Sequence, residues 1–167
     1  IFSGATGMNV LNAHNIIPHC GIGIDPNFEQ GKRVIMQKVF DIPFFYRGRM
    51  NHEALAMVAG DRLYLSGSCG YDISDYFDQK FGIQKSDIDE GCNVINFALS
   101  TAVKLGCNPI ILVGVDLAYS NNQPYSDGVI SHPIHPAKKF FRTKEKSEEL
   151  VPKFDIYGQP IKTLWKW

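Results

Sequence analysis

Two aspartates offer the most direct chemistry in this sequence. Asp25 closes the run Cys20-Gly21-Ile22-Gly23-Ile24-Asp25-Pro26, and Asp116 closes Ile110-Ile111-Leu112-Val113-Gly114-Val115-Asp116. A carboxylate just past a buried strand has its backbone held by the sheet while its side chain faces the rim. There it can accept hydrogen bonds from ribose or sugar hydroxyls, take up a proton, or hold a cation. A third run, Arg62 to Ser66, breaks at Ser66-Gly67-Ser68. Its hydroxyls and open backbone N–H groups suit an anion such as a phosphate. A lone strand-end aspartate can equally cap the element that follows it. Two on one rim favour a site.

Further candidates surround these. Gly91-Cys92-Asn93 opens the clearest helical pattern. A helix N-terminus carries roughly half a positive charge and free N–H groups, so Asn93 is either part of an anion site or a simple N-cap. His132 and His135 stand three apart in a Pro-rich loop, with Asp127 nearby. That is a poor metal set, so no metal is assigned to it, and a general acid or base role for His132 fits better. Tyr119 and Tyr125 flank the same loop, where they can stack on a base, donate to a phosphate, or pin the loop. His14, His19 and His52 read as surface or helix-end residues.

The elements that must position these groups alternate along the chain. A helix is expected over Ala5 to Asn15, ended by Ile16-Ile17-Pro18. A strand over Cys20 to Ile24 follows, with no polar alternation, as in a strand covered on both faces. Its two glycines imply close approach of another backbone or a ligand. Ile42 to Tyr46 reads as a second strand. Asn51 is placed to cap a helix over His52 to Val58. Arg62 to Ser66 is a strand, and Tyr71 to Phe81 a partial helix. Val94, Phe97, Ala98, Thr101, Ala102 and Leu105 recur at three- and four-residue spacing, an amphipathic helix that Gly106 can end. Asn108-Pro109 then turns into Ile110 to Val113, read as a buried strand. The alternation selects a layered α/β fold with a mainly parallel sheet. Ala118 to Pro136 is a polar loop, Lys138 to Glu149 a charged helix, and Phe154 to Thr163 a hairpin turning at Gly158-Gln159. On this reading residues 1–136 form the core and residues 137–167 the tail of the same domain.

Composition bounds the rest. The 167 residues are 44% hydrophobic and 20% charged, which suits one globular domain. Lys+Arg and Asp+Glu both number 17, so there is no basic excess of the kind that marks a nucleic-acid binder. No apolar run is long enough to span a membrane, and no signal peptide is visible, so a cytoplasmic location is expected. The four cysteines form no CxxC pair and read as reduced structural thiols.

Residues 93–120, Asn-Val-Ile-Asn-Phe-Ala-Leu-Ser-Thr-Ala-Val-Lys-Leu-Gly-Cys-Asn-Pro-Ile-Ile-Leu-Val-Gly-Val-Asp-Leu-Ala-Tyr-Ser, are similar to a known pattern. Together with Ile17-Pro18-His19 and Gly23-Ile24-Asp25-Pro26 they resemble the bacterial motility accessory factor glycosyltransferases. Those share a domain with archaeal 6-hydroxymethyl-dihydropterin pyrophosphokinases. The resemblance covers roughly residues 1 to 130. It implies a Rossmann-like core, and transfer of a nonulosonic (sialic-type) acid from a CMP-linked donor to Ser/Thr of a protein such as flagellin, with no cofactor required. Asp25, Asn93, Gly114, Asp116 and Tyr119 are the positions that match. Tyr119, Tyr125, His132 and His135 are then the suspected donors to the leaving phosphate. The family's Gly-Pro-Ser-Leu loop is absent, and Ile1 to Gly7 resembles the stretch just downstream of it, so a truncated domain is expected. Two alternatives stand beside this one. The first is Mg-dependent diphosphate transfer from ATP to 6-hydroxymethyl-dihydropterin, with Asp25 and Asp116 holding the ion. The second is a non-catalytic sugar- or protein-binding fragment.

Overall fold

Cys20–Gly23 form a strand in which all four residues are buried. Alternation along it sends Ile22, and Ile24 beyond it, to one face of the sheet and Gly21 and Gly23 to the other. Neighbouring side chains fill the space the glycines leave. A Cβ on Gly21 would lie 2.4 Å from the Phe44 ring, and one on Gly23 would lie 3.1 Å from both Phe44 and Met50. The close approach implied by the glycines is made by the core itself.

The computed structural model describes residues 1–27, 41–67, 71–91, 93–115, 117–118 and 150–164. They fall into two compact units, Ile1–Ile110 and Ile111–Trp167. In the first, β1 (Phe2–Gly4), β2 (Cys20–Gly23), β3 (Phe44–Tyr46) and β4 (Arg62–Tyr64) make a four-stranded sheet in that order. Every pair is parallel, with Gly21 opposite Phe44 and Ile22 opposite Phe45. α1 (Ala5–Ala13) links β1 to β2, and α2 (His52–Ala56) lies between β3 and β4. α3 (Asp72–Lys80) and α4 (Val94–Lys104) follow.

Each face of the sheet has its own core. Met8 of α1, Phe44, Met50, Ala54 of α2 and Val58 pack on one. Ile22, Ile24 and Phe97 of α4 pack on the other, with Phe45, Leu65 and Val94 against them. Helices cover both faces, which is why β2 reads as an unbroken apolar run. The chain is an α/β protein with a Rossmann-like parallel sheet flanked by helices. Among the described residues, no helix is long and apolar enough to cross a membrane.

The helix ends follow the local sequence. The Asn51 side chain accepts from the Ala54 N–H at 3.0 Å and starts α2. Leu105 ends α4, and Gly106 follows with φ +77°, a conformation that glycine adopts without steric cost. β1 carries one large apolar residue in three, so patterning alone does not reveal it.

Cys20–Ile24 and Arg62–Ser66 share one parallel sheet, with β3 between their strands. One expectation needs correction. Residues 110–113 form no strand, and Ile111, Leu112 and Val113 are 78%, 55% and 85% exposed. An apolar run says that a segment gains from burial. A strand also needs a neighbouring backbone to complete its ladder. Residues 111–113 belong to the second unit, whose sheet is the antiparallel pair β5 (Leu150–Phe154) and β6 (Pro160–Leu164). The turn of that hairpin is tied by Asp155, whose carboxylate accepts the N–H groups of Tyr157 and Gln159, each at 2.8 Å. The helix expected over Lys138 to Glu149 lies outside the described residues.

Candidate functional site

Because β1 to β4 run parallel, their C-terminal ends open on one edge of the sheet. Asp25 follows β2, Arg47-Gly48-Arg49 follows β3, and Ser66-Gly67 follows β4. Ligands of open α/β sheets bind outside this edge.

A buried charged side chain that strand patterning does not flag stands at this edge. Arg47 is 3% exposed, and its guanidinium is held on several sides. One terminal nitrogen donates to the Gly67 carbonyl at 2.9 Å and the other to the Ile88 carbonyl. Its Nε lies 3.6 Å from Glu90, and the plane sits 5.0 Å from the centre of the Phe97 ring. Glu90, equally buried, also pairs with Arg49 at 2.9 Å. Burial pushes the Arg47 pKa down while Glu90 opposes that shift, and an arginine stays charged in either case. The ion cluster thus joins β3, the turn after β4, the loop before α4 and α4 itself.

A second tie sits beside it. The Tyr64 hydroxyl donates to Asp78 of α3 at 2.6 Å, and the Gly67 N–H donates to the other Asp78 oxygen at 3.1 Å. Burial, with the hydrogen bond to Asp78 behind it, raises the Tyr64 pKa, so the phenol stays protonated.

Above Arg47 and Gly67 opens a cleft of about 350 Å³. Its rim carries Asp72 and Asp75 from α3 and Lys85, Ser86, Asp87 and Asp89 from the loop before α4. Lys104 hydrogen-bonds to Asp87 and holds that carboxyl below its ordinary pKa. Carboxylates of this kind accept hydrogen bonds from hydroxyls, while Lys85 supplies positive charge at the rim. The set suits a polyhydroxylated ligand that also bears an acid group.

The residues singled out from the sequence are distributed as follows. Asp25 is partly buried, and its Oδ1 accepts the Asn27 N–H at 2.9 Å while its carbonyl accepts the Asn51 N–H at 2.9 Å. Ser66 is buried, donating to the Gln84 carbonyl at 2.7 Å and accepting from the Ser86 N–H. The Gly67 N–H, expected to be open, is bound to Asp78. A turn that must anchor a helix spends its N–H on that helix. Asn93 caps α4, accepting from the Ile95 and Asn96 N–H groups at 3.0 Å. Gly114, in the second unit, has φ +67°. Ser68, Asp116, Tyr119, Tyr125, Asp127, His132 and His135 lie outside the described residues.

Arg47, Arg49, Glu90 and the cleft loop went unremarked in the sequence. One signal could have found the arginines: they follow a strand, the same position that selected Asp25.

Residues 1–122 match the family model described as 6-hydroxymethylpterin diphosphokinase MptE-like. The chain belongs to this MptE-like family. Its matched region takes in the whole sheet, the cleft and α4. Among solved structures the chain is similar to a MAf glycosyltransferase from Magnetospirillum magneticum AMB-1, with 19% identity and a TM-score of 0.67. The likeness takes in 99% of this chain and 23% of that one, so the chain spans about a quarter of the neighbour's length. At this identity the likeness establishes the fold. No curated protein matches the chain. Both comparisons agree with the family resemblance that residues 93–120 carry.

Proposed function

We propose that this MptE-like domain is the donor-binding part of a glycosyltransferase that moves a nonulosonic acid from a CMP-linked donor to Ser/Thr of a protein such as flagellin. The observation that carries the reading is the fold likeness to a glycosyltransferase over 99% of the chain. The cleft supports it, since a nonulosonic acid has many hydroxyls and one carboxylate, matching a rim of aspartates with Lys85 among them. In this reaction the bond from the sugar to the CMP phosphate breaks and the acceptor hydroxyl replaces it. A carboxylate takes the hydroxyl proton, and hydrogen-bond donors receive the charge that develops on the leaving phosphate. Asp116 or Asp25 is the carboxylate in this reading, and Tyr119, Tyr125 and His132 are the donors. No cofactor is needed, and the reading places the protein in the cytoplasm.

Isothermal titration of the chain with CMP, and with ATP with and without Mg²⁺, tests the assignment. CMP is expected to bind at least about tenfold more tightly than ATP, a difference of about 1.4 kcal/mol. In the intact enzyme, Asp116→Asn is expected to leave the melting temperature unchanged and lower turnover at least about tenfold.

The family description favours a second reading, diphosphate transfer from Mg·ATP to 6-hydroxymethyl-dihydropterin. Among the described residues no three His, Cys, Asp or Glu side chains are grouped to hold a metal ion. Tight Mg·ATP binding with no response to CMP would establish this alternative and remove the first.

A further inference from the structure

α3 displays an apolar stripe where a helix would ordinarily be polar. Ile73, Tyr76, Phe77 and Phe81 follow one another at helical spacing and are 67%, 53%, 48% and 74% exposed. The stripe is preassembled. Tyr76 and Phe77 meet edge to face at 5.4 Å, Phe77 and Phe81 stack at 6.1 Å, and the Lys80 ammonium lies 5.7 Å from the Tyr76 ring centre. The opposite side of α3 is pinned inward by Asp78, which binds Tyr64 and Gly67, so the stripe is held facing outward. A contiguous aromatic patch of this kind marks an interaction surface.

We infer that the α3 stripe is a self-association surface, on which a second copy of this chain packs its own α3 in antiparallel, two-fold fashion. The charge pattern selects this partner. Asp72 and Asp75 occupy the first turn of α3, and Lys80 occupies the last. Antiparallel apposition brings each Lys80 beside the other copy's Asp72 and opposes the two helix dipoles, whereas parallel apposition sets like charges together. Tyr76 and Phe77, midway along the helix, fall on the two-fold axis and meet their own copies, as a closed isologous contact requires. The exposed parts of the four apolar side chains amount to roughly 500 Å² per copy, below the ~800 Å² per partner of a standard stable interface. The dimer is therefore weak and concentration-dependent. The inference does not rest on the proposed transferase reaction, and the two meet at Asp72, which also lines the cleft.

Sedimentation velocity of the 167-residue chain over about a hundredfold range of concentration tests it. The expected result is a shift from monomer to dimer that Phe77→Asp abolishes without changing the circular dichroism spectrum. Lys80→Asp should weaken the dimer about tenfold, and the charge exchange Asp72→Lys/Lys80→Asp should restore it. If Phe77→Asp disturbs folding, the two charge variants decide the matter. A chain that stays monomeric throughout, or a dimer indifferent to both Phe77→Asp and the charge variants, would overturn the inference; the stripe would then serve a different molecule.

Discussion

Two apolar runs in this chain are close to interchangeable as sequence and opposite in fate. Cys20-Gly21-Ile22-Gly23-Ile24 is buried at every position and pairs on both sides, with β1 and with β3. Ile111-Leu112-Val113 is more strongly apolar, yet it forms no strand and its side chains are exposed. What separates them is complementarity. The glycines of the first run admit Phe44 and Met50 on one face while Ile22 and Ile24 meet Phe97 on the other. Hydrophobicity records that burial would be favourable, and the partner surface decides whether it occurs.

The sharpest way to break this comparison is to fill a glycine. Gly21→Val puts its Cβ 2.4 Å from the Phe44 ring, so a stability loss of about 3 kcal/mol or more is expected in urea denaturation. Ile22→Ala, which empties a fully buried position against Phe97, is expected to cost about 2–4 kcal/mol in the same experiment. Ile111→Ser in the second run should change stability by less than about 0.5 kcal/mol. A loss at Ile111 comparable to that at Ile22 would show the two runs to be equally buried and would erase the contrast.

The cysteines at the heads of the runs give a finer test. Cys20 is buried and Cys107 exposed, and burial pushes the Cys20 thiol from 9.0 up to about 11. A folded-state pKa above the unfolded one contributes stability that is fully present below pH 9.0 and fades as pH rises towards 11. The unfolding midpoint should thus decline over that window in the wild type and less in Cys20→Ala. Alkylation followed by peptide mapping should modify Cys107 well before Cys20.

Much of the fold is legible where the determinant is local. Asn51 and Asn93 announce their helices because a cap needs only its own next turn. Gly106 announces an end because only its own φ is at stake, and Gly158 marks the hairpin turn for the same reason. The Arg47 cluster is not legible in this way. A charged residue after a strand suggests a solvated rim, but this one is consumed by carbonyls 20 and 41 residues further along the chain. The same holds for Ser66 and Gly67, whose polar groups face Gln84, Ser86 and Asp78 rather than the open edge. Of the candidate site, sequence reasoning pointed to the C-terminal edge of the sheet, where Gly67 lines the cleft, while the cleft itself is built by a loop with no motif of its own.

That cleft is where the central claim can be tested most directly. Titration of a CMP-linked nonulosonic acid into isotope-labelled chain, followed by backbone amide NMR, reads binding residue by residue. The account predicts saturable shifts concentrated at Gly67 and at Lys85 to Glu90, weakened about tenfold in affinity by Lys85→Glu. Saturable shifts confined to other residues, or none at all while Mg·ATP perturbs the same loop, would contradict it.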